Sequence, residues 1–495
     1  MKKQLLKSST FRFIEIAVAT ILSILLTPYL IHNLGAENYG LWILLLSTLG
    51  WFNFIDLGFS YAVQRNITIY LEQQSNHKIN QVFSVAIVLF STLGVIATLG
   101  ILTLALYPSL LGIEGSIKHT ASISLSFLAI KVLLDFIMNS FHGFYAAYLR
   151  QDIDAKISTF NTIIKSVCIY YLILDFNIYG AVAATIFADI ITHSLKIYFA
   201  KKLHPSFKFQ LHLVKFIEVK KLFAFSKHLV LNGIAKSANQ RVDPIIISHL
   251  LNLNTLALFS IISGLVTKVE AFVNSAVGVF QMPLTKLVAR GAPIEGVFKQ
   301  IISINYFIVL IFYTPLAILA EDFIYLWIGP DYTSAAELAP ILGMAFICKT
   351  ISRPVSSLLL AQSNHKLLSV VNLFGTVINI AISIVLGGMF GLIGIAISTA
   401  ISFFITDVLL HFYLLKKYTQ FSILNISIRF FVTCFLYWFF IVTGKYLMLS
   451  FSYLSWLELI VLGALLFTSI SFSSYMIVLQ KPLRHKLVNM IIKRN

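Results

Sequence analysis

Residues 176–202 read FNIYGAVAATIFADIITHSLKIYFAKK, and residues 390–417 read FGLIGIAISTAISFFITDVLLHFYLLKK. When the two are aligned so that Gly180 falls on Gly394, both segments end in paired lysines. The same register lays YAAYLRQD (145–152) on LLAQSNHK (359–366), and nearly the same register lays TPYLIHNLGAENYGLW (27–42) on DPIIISHLLNLNTLALF (243–259). Three matches in the same order predict a duplication of six helices, an even number that keeps the two copies parallel.

The composition is that of a membrane protein. Of the 495 residues, 58% are hydrophobic and 12% are charged, whereas a soluble domain has roughly 25% charged residues. Apolar runs of membrane length recur along the chain, which predicts an all-α polytopic fold with about 14 transmembrane helices. The predicted spans are 11–31, 41–62, 82–107, 120–143, 157–174, 178–200, 222–247, 255–282, 300–328, 336–360, 368–387, 390–414, 429–449 and 456–479.

The basic residues predict the orientation. The net charge of +17 comes mostly from Lys and Arg in alternate segments between the apolar runs, which is the pattern of cytoplasmic loops and not of nucleic-acid binding. Both termini are therefore expected in the cytoplasm. The repeat predicts two pseudo-symmetric six-helix lobes, 1–202 and 222–417. It also predicts a linker at 203–221, whose amphipathic sequence favours the membrane surface, and two further helices with a tail at 418–495.

Common catalytic and metal-binding motifs are missing from the sequence. It has no GxxxxGK[ST] loop, no HExxH or GxSxG motif and no Cys/His metal cluster. The three cysteines, Cys168, Cys348 and Cys434, lie singly in apolar segments and are expected to be small core residues. We therefore expect no metal and no cofactor.

Charged residues inside the spans are numerous, although each costs on the order of 2.5–3.5 kcal/mol near the bilayer centre. The acids are Glu15, Asp56, Asp135, Asp189, Asp243, Glu270 and Asp407. Several form stripes at helical spacing, such as Lys131, Asp135, Asn139 and His142, or Asp189, His193 and Lys196. Such stripes predict either charge pairs that hold helices together or groups that line a cavity.

The tenth span carries two cations, Lys349 and Arg353, one turn apart and with no acid on their own helix within a turn. The seventh span is the most polar and contains Lys236 and Arg241, and the eighth adds Lys268. Because guanidinium groups grip phosphate in a bidentate manner, these cations predict an anion-binding site.

The second span contains the stretch FIDLGFSYAVQR, in which Asn53, Asp56 and Ser60 form a polar stripe that ends near Arg65. Together with NLGAENYGLW before it, this stretch resembles the N-terminal signature of bacterial polysaccharide biosynthesis proteins. These are Wzx-type flippases of lipid-linked oligosaccharides, in the multidrug/oligosaccharidyl-lipid/polysaccharide (MOP) exporter superfamily. The resemblance extends over the whole chain and includes the GAVAAT and GIAIST segments at Gly180 and Gly394.

The resemblance implies a MATE-like, V-shaped pair of lobes around a cationic cavity, in the bacterial cytoplasmic membrane. The implied substrate is an undecaprenyl-diphosphate-linked sugar repeat unit, and the implied partners are the lipid bilayer and the polymerase and chain-length regulator of the same pathway. The diphosphate would be held by Arg65, Lys236, Arg241, Lys349 and Arg353. Ion coupling would fall to Glu15, Asp56 or Asp243, with Asn53, Asp135, Asp189, Glu270 and Asp407 as further polar cavity residues.

Several alternatives stay open at this point. A lipid II flippase has the same expected fold, and a multidrug exporter of the same superfamily is disfavoured by the basic excess inside the spans. A membrane polysaccharide polymerase would need large outer loops, whereas the predicted outer loops are all short. An O-acyltransferase would need a catalytic histidine such as His142 or His193, and it would leave the repeat unexplained. We therefore predict a transporter and not an enzyme.

Overall fold

The computed structural model describes residues 2–52, 56–206, 208–220, 222, 241–278, 281–362, 365–419, 421–449 and 453–479. Within these ranges all regular secondary structure is helical, as predicted. Ten helical stretches of this described part are long and apolar enough to cross a membrane. The chain is therefore an all-helical, multi-pass membrane protein.

The helices follow the apolar runs, because a helix satisfies its backbone hydrogen bonds internally, as lipid requires. They are α1 (Lys2–Phe52), α2 (Asp56–Glu72), α3 (Asn76–Leu106), α4 (Ile117–Ala147), α5 (Gln151–Leu203), α6 (241–250), α7 (Leu253–Gly278), α8 (Gln281–Ala289), α9 (Glu295–Trp327), α10 (Ala339–Ile351), α11 (Arg353–Ala361), α12 (His365–Phe403), α13 (His411–Tyr418), α14 (Ile423–Met448) and α15 (Trp456–Ile477). Short 3₁₀ helices lie at Pro108–Leu111, Leu211–Leu213 and Pro330–Leu338, and π-helical turns at Phe404–Leu410.

One face of α14 shows how these helices meet lipid. Phe431, Phe435, Val442 and Tyr446 are each more than 60% exposed and follow one another at helical spacing. Tyr437, on another face of the same helix, is fully buried. A long apolar stripe of this kind is typical of a helix with one side in lipid and the other packed against protein.

Three helices are too long for a single crossing, which takes about 20 residues. α1 has 51 residues, α5 has 53 and α12 has 39. Each contains one residue with positive φ: Gly35 (φ 74°), Asn177 (φ 51°) and Gly391 (φ 59°). This backbone conformation interrupts the helix and divides it into two segments.

The breaks in α5 and α12 match. Asn177 and Gly391 occupy the same position of the sequence repeat and have ψ values of −135° and −136°. Three residues after each break, Gly180 and Gly394 lie so close to a backbone carbonyl of the preceding segment that a Cβ would collide with it. The repeat between 176–202 and 390–417 is therefore present in the backbone as well as in the sequence.

The chain divides into two compact units, Met1–Ala257 and Leu258–Asn495. In the first unit α3 packs against α4, α1 against α5, and α2 against α3 and α4. In the second unit α9 packs against α10, α14 and α15, and α10 packs against α12. The boundaries expected from the sequence (1–202, 203–221, 222–417 and 418–495) stay a prediction.

The segment after α5 is fastened to α3 by polar contacts. Asn80 Nδ2 donates to the Ser206 carbonyl at 2.9 Å, and Asn80 Oδ1 accepts from Lys208 N at 3.2 Å. Leu213 is buried, whereas Phe216 is 81% exposed. One face of this linker therefore packs on the first unit, while its position at the membrane surface stays a prediction.

Candidate functional site

The second unit brings together one acid and two cations. Lys349 Nζ, near the end of α10, lies 3.1 Å from both carboxylate oxygens of Glu270 on α7. Arg353, the first residue of α11, places Nη2 3.1 Å from Glu270 Oε1. The structure therefore joins the two cations that the sequence placed one turn apart, through an acid from a helix much earlier in the chain.

The three side chains of this cluster differ in exposure. Glu270 is 9% exposed and Lys349 14%, whereas Arg353 is 44% exposed. The Lys349 ammonium also lies over the rings of Phe346 and Phe403, at 4.7 and 5.2 Å from their centroids. The buried carboxylate thus holds two positive charges, so that the trio has a net charge of +1, and its outermost member is a guanidinium.

Asp407 and His411 lie one turn apart in the sequence but bond to separate groups. Asp407 Oδ1 accepts from Ser352 Oγ at 2.8 Å, and Oδ2 accepts from Thr406 Oγ1 at 3.1 Å. His411 Nε2 lies 2.9 Å from Ser356 Oγ. These contacts fasten the π-helical turns to the beginning of α11.

The first unit contains a second charge cluster, between α4 and α5. Lys131 pairs with Asp135 one turn later, and its Nζ lies 3.0 Å from Asp189 Oδ2. His193 Nε2 is 3.1 Å from Asp135 Oδ1, and Asn161 Nδ2 donates to Asp189 Oδ1 at 2.7 Å. The two predicted stripes therefore meet each other.

Each charge of this cluster has a partner of opposite sign. The Lys131 side chain is 15% exposed and Asp189 15%, and both take part in bonds that join α4 to α5. Breaking such a buried pair costs several kcal/mol, typically about 3–5. The geometry of this cluster supports the reading that it holds helices together.

A third group lies in the same unit. Arg12 Nη1 is 2.9 Å from Glu15 Oε2, and His142 Nδ1 is 3.0 Å from Asp154 Oδ2. Glu15 also interacts electrostatically with Asp154 and His142. The sequence analysis did not identify Asp154. The feature that could have identified it is its place in the first turn of α5, where the helix dipole favours a negative charge.

The predicted anion ligands Arg65 and Arg241 have other surroundings in the first unit. Arg65 lines a cavity of about 280 Å³ together with Glu218 of the linker. Arg241 Nη1 lies 3.4 Å from the Leu46 carbonyl, and its guanidinium fills the space beside Gly50 on α1. The role of both residues as anion ligands stays a prediction.

Some predicted residues cannot be placed fully. Lys236 and Asn53 lie outside the described residues. Asp56 begins α2, but its side chain lies outside the described part, and Asp243 lies on α6. The assignment of these four residues to the site stays a prediction. Among the described residues, no group of His, Cys, Asp and Glu side chains is arranged to hold a metal ion.

Comparison with known proteins places the chain in a family. A family model described as "Polysaccharide biosynthesis protein" matches residues 5–284, more than half of the chain. The chain is also similar to a putative O-antigen transporter of Shigella flexneri. The two are 23% identical over 431 residues, which cover 82% of this chain and 96% of that protein.

Two solved structures share the fold. The lipid II flippase MurJ in an inward closed conformation gives a TM-score of 0.72 at 15% identity, over 95% of this chain and 98% of MurJ. An inward-facing multidrug resistance MATE family transporter of the MOP superfamily gives 0.68 at 15% identity, over 83% of this chain and 99% of the transporter. The chain thus shares its fold with membrane transporters, and family and fold agree with the prediction of a transporter and not a membrane enzyme. The chain belongs to the polysaccharide biosynthesis protein family and has the MATE/MurJ-like fold of the MOP superfamily.

Proposed function

We propose that this protein is a flippase for an undecaprenyl-diphosphate-linked oligosaccharide repeat unit of O-antigen or capsule type. It would carry this lipid from the cytoplasmic to the periplasmic leaflet by alternating access. The family, the MOP fold and a relative named as a putative O-antigen transporter support this function.

The observation that carries the proposal is the cluster of Glu270, Lys349 and Arg353. A diphosphate needs cations that can reach it, and Arg353 combines high exposure with a forked, permanently charged donor. When Arg353 turns from Glu270 to a diphosphate, Lys349 still pairs with the carboxylate. The site can therefore gain an anionic ligand without leaving a buried charge unpaired.

The remaining site residues are part of the same proposal. Arg65, Lys236 and Arg241 would contact the diphosphate during other steps of the transport cycle. Ion coupling would use Glu15, Asp56 or Asp243. The other polar side chains proposed for the transport path are Asn53, Asp135, Asp189, Glu270 and Asp407.

We further propose that the chain crosses the bacterial cytoplasmic membrane fourteen times, with both termini in the cytoplasm. The breaks at Gly35, Asn177 and Gly391 support this count. Asn177 divides α5 into two segments of crossing length, and Gly391 divides the longer helical stretch Leu367–Tyr418, which continues past α12 through the π-helical turns and α13. Gly35 separates the first apolar run of α1 from the second. The seventh span, 222–247, lies mostly outside the described residues. Two six-helix lobes and two C-terminal helices follow from the same division.

The proposed substrate indicates which proteins would act after this one. A repeat unit that reaches the periplasmic leaflet must be joined to others there. A polymerase and a chain-length regulator are therefore the proposed partners, besides the lipid bilayer and the lipid-linked glycan itself.

Complementation tests the function. A strain that lacks its own flippase for a lipid-linked repeat unit would receive this chain, and its surface glycan would be measured by electrophoresis. We expect rescue by the wild type and a loss of roughly tenfold or more with Arg353→Gln, because a neutral amide replaces the guanidinium. Arg353→Lys should keep part of the activity.

The matched control is Lys445→Gln, which removes an exposed cation from the last turn of α14 and should rescue like the wild type. Membrane levels of each variant would be compared by immunoblot. Full rescue by Arg353→Gln would remove the anion site from the proposal. Rescue of a strain depleted of its lipid II flippase, with no rescue for any repeat unit, would instead assign lipid II as the substrate.

A further inference from the structure

A cavity lined by cations lies in the second unit, and its lining residues do not include Glu270, Lys349 or Arg353. It has a volume of about 430 Å³ and is formed where α9 and α14 begin and α15 ends. Lys299, Asn425 and Arg429 supply its polar lining, and Ile302 and Val432 are among its apolar residues. The transport mechanism proposed above does not use this cavity.

Arg429 is held in a fixed position. Its Nη1 donates to Ser303 Oγ at 3.0 Å and to the Val478 carbonyl at 2.7 Å. Within the described part of the chain these are the acceptors of its guanidinium, which leaves the N–H groups of Nε and Nη2 for a ligand. A guanidinium anchored on one side and open on the other is suited to bidentate binding of phosphate.

The second cation stands beside it at the same end of the bundle. Lys299 Nζ is 2.6 Å from Glu295 Oε1, whose side chain is 46% exposed. Lys299, Arg429 and Glu295 together therefore have a net charge of +1. This positive net charge favours an anionic ligand.

Helix length indicates the depth of the cavity. α14 has 26 residues, which is about 39 Å, whereas the hydrocarbon core is about 30 Å thick. Arg429 is the seventh residue of α14, about 9 Å along the axis, so a centred helix places it roughly one turn inside the hydrocarbon boundary. Its long side chain can extend back toward the phosphate layer.

We propose that this cavity, between the beginnings of α9 and α14 and the end of α15, binds the phosphate of an anionic phospholipid headgroup. Arg429 grips the phosphate through Nε and Nη2, Lys299 adds charge, and Asn425 offers a hydrogen bond. The apolar wall at Ile302 and Val432 contacts the glycerol and the beginning of the acyl chains.

Lipid titration tests this site on the full-length protein. Native mass spectrometry would measure the apparent Kd for phosphatidylglycerol and for phosphatidylcholine. We expect phosphatidylglycerol to bind roughly fivefold tighter, and Arg429→Gln to remove that preference. Lys299→Gln should weaken it in part, and this variant leaves the Arg429 contacts intact if Arg429→Gln fails to fold.

Lys445→Gln, at the opposite end of α14, is the matched control and should keep the preference. Equal binding of the two lipids by the wild type overturns the proposal, as does an equal loss in the control. A competition experiment distinguishes a lipid headgroup from a soluble phosphoester as the source of the bound phosphate. Displacement by millimolar glycerol phosphate would show that soluble phosphoesters share the site, and no displacement would assign it to lipid alone.

Discussion

In the first unit Lys131 faces two carboxylates, whereas in the second unit Glu270 faces two cations. In the register of the repeat that lays Gly180 on Gly394, Asp135 of the first cluster corresponds to Lys349 of the second. The two copies thus place a charge at the same point of the repeat but with opposite sign.

The difference continues on the neighbouring helix. Asp189 pairs with Lys131 in the first unit, and its counterpart in the repeat is Phe403, whose ring centroid lies 5.2 Å from the Lys349 ammonium. An ion pair in one copy is replaced by a cation–π contact in the other. Lys349 in the second copy therefore has one carboxylate beside it, whereas Lys131 in the first copy has two.

This contrast determines which group each cluster can release. In the first cluster one carboxylate can lose its charge while Lys131 stays paired with the other. In the second cluster one cation can leave for a ligand while Glu270 stays paired, but Glu270 itself cannot be removed without leaving two cations unpaired. This difference supports the proposal that the second cluster, and not the first, binds the anionic substrate.

The largest expected effect is that of Glu270→Gln compared with Asp189→Asn. Glu270→Gln removes the shared partner of two cations and should destabilise the fold by about 3–5 kcal/mol. Asp189→Asn leaves Lys131 with Asp135 and should cost about 1–3 kcal/mol. Thermal unfolding of the purified variants, followed by tryptophan fluorescence, would rank them.

The double variant Glu270→Gln with Lys349→Gln serves as the control for this ranking. Because it also removes one of the two unpaired cations, it should recover part of the lost stability. Equal losses of stability for Glu270→Gln and Asp189→Asn would show that Glu270 is no more essential to its cluster than Asp189 is to the other, which contradicts the comparison.

The sequence predicted the stripes but not the partners. Lys131 and Asp135 lie one turn apart, so helical spacing alone shows their shared face. The Glu270 contact joins helices that are far apart in the chain, and spacing within one helix carries no information about it. The polarity of the seventh span likewise did not indicate that Arg241 would pack beside Gly50, because polarity does not tell which neighbour a helix faces; its role as an anion ligand stays a prediction.

The helix breaks were predictable only in part. The repeat identified Gly180 and Gly394, since close approach of two backbones demands glycine at both positions. The break itself lies at Asn177 in one copy and Gly391 in the other, and an asparagine inside an apolar run gives a weak signal. The Asn177 side chain contributes by accepting from the Ile178 amide at 2.7 Å.

Replacement of Gly391 should have a medium effect on the free energy of unfolding. Gly391→Ala should cost about 1–2 kcal/mol, because a Cβ disfavours positive φ, although the space around Gly391 is open. Gly391→Asn should cost less, since asparagine can bond the next amide as Asn177 does. Thermal unfolding would measure both, and an unchanged melting temperature for Gly391→Ala would show that the break relaxes. Gly388→Ala, at an equally open position with ordinary φ, is the control.

The smallest expected effect is a pH dependence at the ends of the same two repeats. His204 follows α5, and its counterpart in the repeat, Tyr418, ends α13. Burial lowers the pKa of His204 below its ordinary value and raises the pKa of Tyr148, its hydrogen-bond partner at 2.9 Å, to about 12. Neutral His204 therefore bonds Tyr148 on one side and Ser206 on the other.

The sign of the effect follows from this lowered pKa. Below a pH of about 6.5 the unfolded chain binds the proton more readily than the folded one. The contribution of His204 is thus complete above that pH and is lost as the pH falls through it. Hydrogen-exchange protection of residues 208–214, corrected for the intrinsic rate, should decrease a few-fold from pH 7.5 to 5.5, whereas residues after Tyr418 should not respond. His204→Gln should remove the pH dependence; if it persists in this variant, another group titrates in the linker, and the contrast between the two repeat ends does not depend on His204.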